Sequence, residues 1–161
     1  MTHQILILDA HEPDYYVEQL APQFPNIKFT AFADGDAAEG QYEAADIILV
    51  RGRMLKKQNI DAAKNLKWIH NLITGCDHFF DLLTDRDDLW LTSSRGIHGP
   101  QMSEMTFLHM LALSRGIRGL SNAQSAHEWK GTTPLVLNNR VACIVGTGAI
   151  SMDLAARCKA F

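Results

Sequence analysis

The feature that most constrains this chain is a series of short, unbroken aliphatic runs separated by segments of helical spacing. Ile5-Leu6-Ile7-Leu8 and Asp46-Ile47-Ile48-Leu49-Val50 carry apolar side chains at consecutive positions. A strand sends successive side chains to opposite faces, so such runs suit strands covered on both sides, as in a parallel sheet flanked by helices. Ile27–Phe32, Trp68–Ile73 and Leu89–Thr92 extend the series to five expected strands. Between them, Pro13 opens a segment in which Val17, Leu20 and Ala21 recur at helical spacing, and shorter helices are expected around Ala37–Ala44, Ile60–Lys64 and Asp77–Leu83. Strands alternating with helices require right-handed crossovers, which predicts an α/β fold with a doubly wound parallel sheet.

Beyond Pro100 the pattern changes. Gln101–Ile117 predicts a long helix, and Met105, Leu108, Met110, Leu111, Ala112 and Leu113 leave it apolar around much of its circumference. Such a helix needs cover on more than one side, from its own domain and from a second subunit. Another helix is expected at about Asn122–Trp129 and a polar connection at Lys130–Asn138. Val141-Ala142-Cys143-Ile144-Val145 then predicts a sixth buried strand, followed by Gly146-Thr147-Gly148 and a helix to Phe161. One parallel strand with one following helix is the opening of a βαβ unit. The chain therefore reads as the front part of a longer protein: a first domain over 1–100, linker helices and connector over 101–140, and the beginning of a further domain over 141–161.

Composition narrows the function classes. Hydrophobic residues make up 47% of the 161 positions, enough for a packed core and too many for a disordered chain. Fifteen basic and eighteen acidic residues give a net charge of -3, which offers no electrostatic reason to bind nucleic acid or an anionic membrane surface. No apolar run approaches the ~20 residues of a membrane span. Met1–Gln4 leads straight into a strand without the basic region and cleavage site of a signal peptide. The three cysteines, Cys76, Cys143 and Cys158, lack CxxC spacing, and the seven histidines show no HxH or HExxH. Neither a disulfide framework nor a metal site is indicated, and a soluble protein of a reducing cytoplasm is expected. Individual residues have plain expected roles: His70 as a hydrogen-bonded core residue, Cys143 as a small apolar strand residue, and Trp68, Trp90 and Trp129 as anchors in core or interface.

The stretch Val145-Gly146-Thr147-Gly148-Ala149-Ile150-Ser151 sits where a dinucleotide fingerprint falls, between a buried strand and a helix start. The first glycine permits the tight turn, and the second lets a pyrophosphate approach the backbone at the helix N-terminus. Serine takes the place of the third glycine and is small enough for close helix packing. On this reading Gly146, Thr147, Gly148, Ala149 and Ile150 face a dinucleotide; the plainer alternative is a glycine turn that only joins strand to helix. The acid that would contact the ribose falls ~20 residues beyond the motif, past Phe161, so NAD and NADP both stay open.

The order of segments resembles the D-isomer-specific 2-hydroxyacid dehydrogenases. Asp46–Arg51 looks like that family's third strand. Leu66-Lys67-Trp68-Ile69-His70, leading into Thr74-Gly75-Cys76-Asp77, looks like its LKWI…(A/V)GxD segment. Gly96–Glu104 and the helix running to Arg115 look like its linker helix. The likeness runs from about Ile5 to Phe161. It implies a flavodoxin-like substrate domain, linker helices, and a Rossmann domain of which 141–161 is the first βα unit. It further implies an NAD- or NADP-dependent oxidoreductase acting on a small 2-keto or 2-hydroxy acid, and a homodimer formed through Gln101–Trp129. In the family, peptide N–H groups of the (A/V)G pair hold the substrate carboxylate, which maps to Thr74 and Gly75. The loop after the third strand lines the site, which maps to Arg51, Gly52 and Arg53, and Met102 approaches the nicotinamide by position. The family's catalytic arginine, histidine and carboxylate come from later in its chain, so no catalytic residue is assigned here and these 161 residues are expected to be inactive alone. A second function class is a noncatalytic, receiver-like flavodoxin-fold module that dimerises through the long helix. Asp9 would be its acceptor, although a receiver pairs that position with an adjacent acid and here the nearest are Glu12 and Asp14. An electron carrier of this fold would need a Ser/Thr-rich phosphate loop after the first strand, and none follows.

Overall fold

The structure, a computed structural model, describes residues 3–161, which form two compact units meeting in sequence between Arg95 and Gly96. The first unit holds five strands, β1 (Gln4–Leu8), β2 (Lys28–Phe32), β3 (Ile47–Val50), β4 (Trp68–Asn71) and β5 (Trp90–Ser93). All neighbours pair in parallel, in the order β2-β1-β3-β4-β5. That is the doubly wound, flavodoxin-like order. The unbroken aliphatic runs serve two faces at once. Leu6, Leu8, Ile48, Val50 and Ile69 pack with Ala38, Tyr42, Leu55, Ile60 and Phe79, the last two from α2 (Lys57–Ala62) and α3 (Asp77–Phe80). Ile5, Ile7 and Leu49 pack on the other face with Tyr16, Val17 and Leu20 of α1 (Pro13–Leu20).

The helix expected over Ala37–Ala44 shrinks to a single 3-10 turn at Tyr42–Ala44. The Asp34 carboxylate accepts from the peptide N–H groups of Asp36 (2.9 Å) and Ala37 (2.7 Å), as a helix N-cap does, but the turn it opens does not continue. Gly40 then enters the left-handed region at φ 79°. Tyr42 anchors the segment by donating to the Gly35 carbonyl at 2.7 Å; burial, with Asp36 and Asp34 nearby, pushes its phenol up to about 12. On the sheet face opposite Ile69, Trp68 is 37% and Trp90 75% exposed, so of the core and interface roles expected of them the core role is excluded. His70 is hydrogen-bonded as expected but half-buried, outside the core: Nδ1 pairs with Thr92 Oγ1 at 2.8 Å and Nε2 with Ser94 Oγ at 3.3 Å, and burial lowers its pKa.

The second unit contains α4 (Gly99–Arg115), α5 (Ile117–Ser125) and α6 (Ala149–Ala160). Gly116, at φ 65°, ends α4 in the left-handed conformation that glycine adopts without strain. The fully buried Ser103 of α4 donates to Asp153 Oδ1 of α6 at 3.0 Å, and Arg157 Nε donates to the same oxygen at 2.6 Å. The approach is close enough that a Cβ on Gly99 would sit 3.0 Å from that of Asp153. The helix expected at Asn122–Trp129 instead occupies Ile117–Ser125, and Trp129 is fully exposed.

The strand expected at Val141–Val145 does not form, and Val141 and Val145 are each 96% exposed, with Cys143 exposed between them. A strand exists only where a neighbour takes its N–H and C=O groups, and no described segment pairs with this one. Among the described residues, no helix is long and apolar enough to cross a membrane.

Candidate functional site

In a doubly wound sheet, ligands bind outside the carboxyl ends of the strands where successive crossovers diverge to opposite sides. Here that point lies between β1, whose crossover leads to β2, and β3, whose crossover leads to β4. The loops after β1, β3 and β4 meet there.

Asp9 follows β1 and is fully buried. Its Oδ2 accepts from Arg51 Nε at 2.8 Å and its Oδ1 from the His11 peptide N–H at 2.9 Å. Burial pushes the carboxyl up, but the His11 N–H and the Arg51 guanidinium outweigh it and leave the pKa below the ordinary 3.8. Arg51 is raised in turn, chiefly by its hydrogen bond to Asp9, and its Nη2 donates to the Tyr16 hydroxyl at 3.2 Å. Two of its three nitrogens are thus committed to the fold. The receiver-like alternative loses its acceptor here, because the Asp9 carboxylate is buried and already paired.

Gly52, next along, adopts φ 70°. Its N–H donates to Asn71 Oδ1 at 3.2 Å, and its carbonyl accepts from His78 Nε2 at 2.9 Å. Asn71, the last residue of β4 and fully buried, also donates from Nδ2 to the Gly75 carbonyl at 2.6 Å. The Thr74 hydroxyl makes a long contact, 3.4 Å, to the Ser94 carbonyl. Among the described residues, the peptide N–H groups of Thr74 and Gly75 donate no hydrogen bond, although Asp77 Oδ1 lies 3.3 Å from where a Cβ on Gly75 would stand. Arg53 reaches only Asp77, at 3.3 Å on the open surface. The structure therefore gathers Arg51, Gly52, Thr74 and Gly75 at one sheet edge and leaves Arg53 as a solvated loop charge. The sequence reading missed Asn71 and His78. The one trace of Asn71 is an amide next to His70 inside the strand segment Trp68–Ile73, where a buried polar side chain needs a partner.

In the second unit, Gly146 turns the chain at φ 105° and Gly148 caps α6 in extended conformation, with no side chain capping the helix. A Cβ on Gly148 would meet nothing within 4 Å, and one on Gly146 only Ser151 Oγ at 3.9 Å. The turn is open, and the first N–H groups of α6 lack a side-chain partner. That fits a pyrophosphate. Thr147, Ala149 and Ile150 flank the turn, and Met102 lies in the first turn of α4, 45% exposed. Among the described residues, no three His, Cys, Asp or Glu side chains gather as a metal site.

No family model matches the chain. Over 128 residues it is 27% identical to a protein of Staphylococcus haemolyticus named as a 2-hydroxyacid dehydrogenase, a match that covers 76% of this chain and 40% of that protein. A crystal structure of a D-isomer-specific 2-hydroxyacid dehydrogenase family protein from Aeromonas salmonicida superposes with a TM-score of 0.86 at 27% identity, covering 99% of this chain and 51% of that one. A D-lactate dehydrogenase from Aquifex aeolicus, solved with NAD and lactic acid, superposes with a TM-score of 0.78 at 20% identity, covering 97% and 48%. The chain thus spans about half the length of the relatives it matches.

Proposed function

We propose that this chain, whose relatives in sequence and fold are D-isomer-specific 2-hydroxyacid dehydrogenases, belongs to an NAD- or NADP-dependent oxidoreductase that interconverts a 2-keto acid and a D-2-hydroxy acid. The observation that carries the reading is the pair of uncommitted peptide N–H groups at Thr74 and Gly75, at the carboxyl edge of the sheet and tied through Asn71 to the Gly52 loop. A carboxylate accepts well from backbone N–H donors, and a guanidinium beside it strengthens the hold. Arg51, fixed by Asp9 and Tyr16, offers its remaining Nη1 group without losing side-chain freedom on binding. Gly52 contributes its left-handed turn, which brings the β3 loop beside the Thr74–Gly75 loop, while its own N–H stays with Asn71.

In the second unit, Gly146, Thr147, Gly148, Ala149 and Ile150 would hold the pyrophosphate of the nucleotide, with Met102 toward the nicotinamide. When bound, the nicotinamide gives or takes the hydride. No described residue is assigned as the general acid or base, and free cysteines throughout agree with a cytoplasmic setting.

The test is a titration of the 161-residue chain with pyruvate followed by amide NMR, and with NADH and NADPH followed by nicotinamide fluorescence. Pyruvate should shift the Thr74 and Gly75 amides first. The nucleotides should give no saturable signal, because the segment leading into the glycine turn is unpaired. Shifts that bypass Thr74 and Gly75 sink the substrate assignment, and reduction of pyruvate by NADH with this chain alone sinks the view that its catalytic groups lie elsewhere.

The same reading includes a homodimer through Gln101–Trp129. Met105, Leu108 and Leu113 of α4 and Ile117 of α5 are exposed apolar side chains, which a subunit contact would cover. Sedimentation velocity should show a dimer that Leu108→Lys with Leu113→Lys converts to monomer. A wild-type monomer at the highest soluble concentration removes the proposal.

A further inference from the structure

We propose that Asn71 is the positioning residue of the carboxylate-binding edge, its single buried amide fixing the spacing between the Gly52 loop and the Thr74–Gly75 loop; the inference rests on the reading of those loops given above. The two loops leave adjacent parallel strands, since Val50 of β3 pairs with Asn71 of β4. Beyond that pair no backbone hydrogen bond joins Gly52 to Gly75. The amide bridges the gap. Its Oδ1 accepts from Gly52 N (3.2 Å) and its Nδ2 donates to Gly75 O (2.6 Å). Both partners are backbone atoms, so the tie holds main chain to main chain.

The chemistry of the tie is specific to a carboxamide. One end must accept and the other must donate, and at neutral pH an aspartate offers only acceptors. Leucine, of similar size, offers neither and leaves a donor and an acceptor unpaired beside a fully buried side chain. Holding Gly75 by its carbonyl fixes the Gly75–Cys76 peptide, and with it the end of the loop whose preceding peptides carry the Thr74 and Gly75 N–H groups. The His78 contact to the Gly52 carbonyl, 2.9 Å, grips the same loop from its other side. Asn71 therefore touches no ligand. It acts by holding the loop that carries the Thr74 and Gly75 N–H groups against the Gly52 loop.

The experiment measures pyruvate affinity of the full 161-residue chain by amide NMR for wild type, Asn71→Leu and Asn71→Asp. Asn71→Leu should bind pyruvate at least about tenfold more weakly, the effect of leaving one buried hydrogen-bonding group unpaired, with the amide shifts of β1 and β3 retained. Asn71→Asp should bind weakly at about pH 8 and recover toward wild type at about pH 5, because burial favours the protonated carboxyl, which donates and accepts as the amide does. That recovery stays readable if the leucine variant fails to fold. Pyruvate affinity of Asn71→Leu within twofold of wild type, or an affinity of Asn71→Asp that does not change with pH, overturns the positioning role and leaves the carboxylate site standing. A wild-type chain whose Thr74 and Gly75 amides ignore pyruvate overturns both.

Discussion

Arg51→Ala should destabilise the sheet unit by about 3 kcal/mol at neutral pH, the lower end of the ~3–5 kcal/mol found when one partner of a buried ion pair is removed. The lower end applies because the Arg51 side chain is a third exposed while that of Asp9 is fully buried. What is lost is less the attraction itself than the compensation of a carboxylate that burial would otherwise disfavour. The pH dependence separates this from ordinary loss of packing. In wild type the folded Asp9 pKa lies below 3.8. Its contribution to stability is therefore complete above the unfolded value and is lost as pH falls through the lower, folded one. Without Arg51 the carboxyl moves up, so that much of this acid-side loss disappears. Urea unfolding across a pH series should show wild type and Arg51→Ala well separated at neutral pH and converging as pH falls below about 3.8. A gap that stays constant with pH would mean that Arg51 acts through its packing on Tyr16 and not through Asp9. Asp9→Asn should cost less than Arg51→Ala, since the amide oxygen still accepts from Nε and no buried charge is stranded.

This ion pair shows where the sequence falls silent. Asp9 and Arg51 are 42 positions apart, and each taken alone is a charge at the end of an apolar run. Only the adjacency of β1 and β3 makes them partners. The strands themselves were legible because burial on two faces demands consecutive aliphatic residues, and Ile5–Leu8 and Ile47–Val50 supply them. Thr74 and Gly75 are candidates through the family likeness of their motif, whereas Asn71, which ties their loop to Gly52, belongs to no motif.

Val141–Val145 marks the opposite failure. Its apolar run carries the burial signal of a strand, yet a strand is a property of a pair, and the described residues contain no neighbour for it. The lost helix at Ala37–Ala44 has a local cause, since Gly40 enters the left-handed region at φ 79° and ends the turn that Asp34 caps. Periodicity reports which face a residue prefers, and it does not report such a break.

Asp153→Ala should loosen α6 from α4 and leave the sheet unit untouched. No residue of α6 is fully buried, so its seat depends on a few contacts: the Phe107–Phe161 ring pair at 5.0 Å, the close approach of Gly99, and the carboxylate of Asp153. That carboxylate receives both the buried Ser103 hydroxyl and Arg157. Removing it strands a fully buried donor and frees the arginine, which should raise amide exchange across Ala149–Ala160 by about tenfold or more. Asp153→Asn should fall between, because its oxygen still serves Ser103 while the charge that holds Arg157 is gone. The hydrogen bond from Arg157, followed by that from Ser103, keeps the Asp153 pKa below 3.8 against the effect of burial. The same loosening should therefore develop in wild type as pH falls below that value, by the sign that governs Asp9. The consequence reaches function through geometry, since the glycine turn at Gly146–Gly148 opens directly into the first turn of α6. A phosphate seat made of helix N–H groups is only as fixed as the helix that carries them. Exchange in α6 that is unchanged in Asp153→Ala would show that the aromatic pair and the Gly99 contact suffice, and that the polar triad is incidental to the seat.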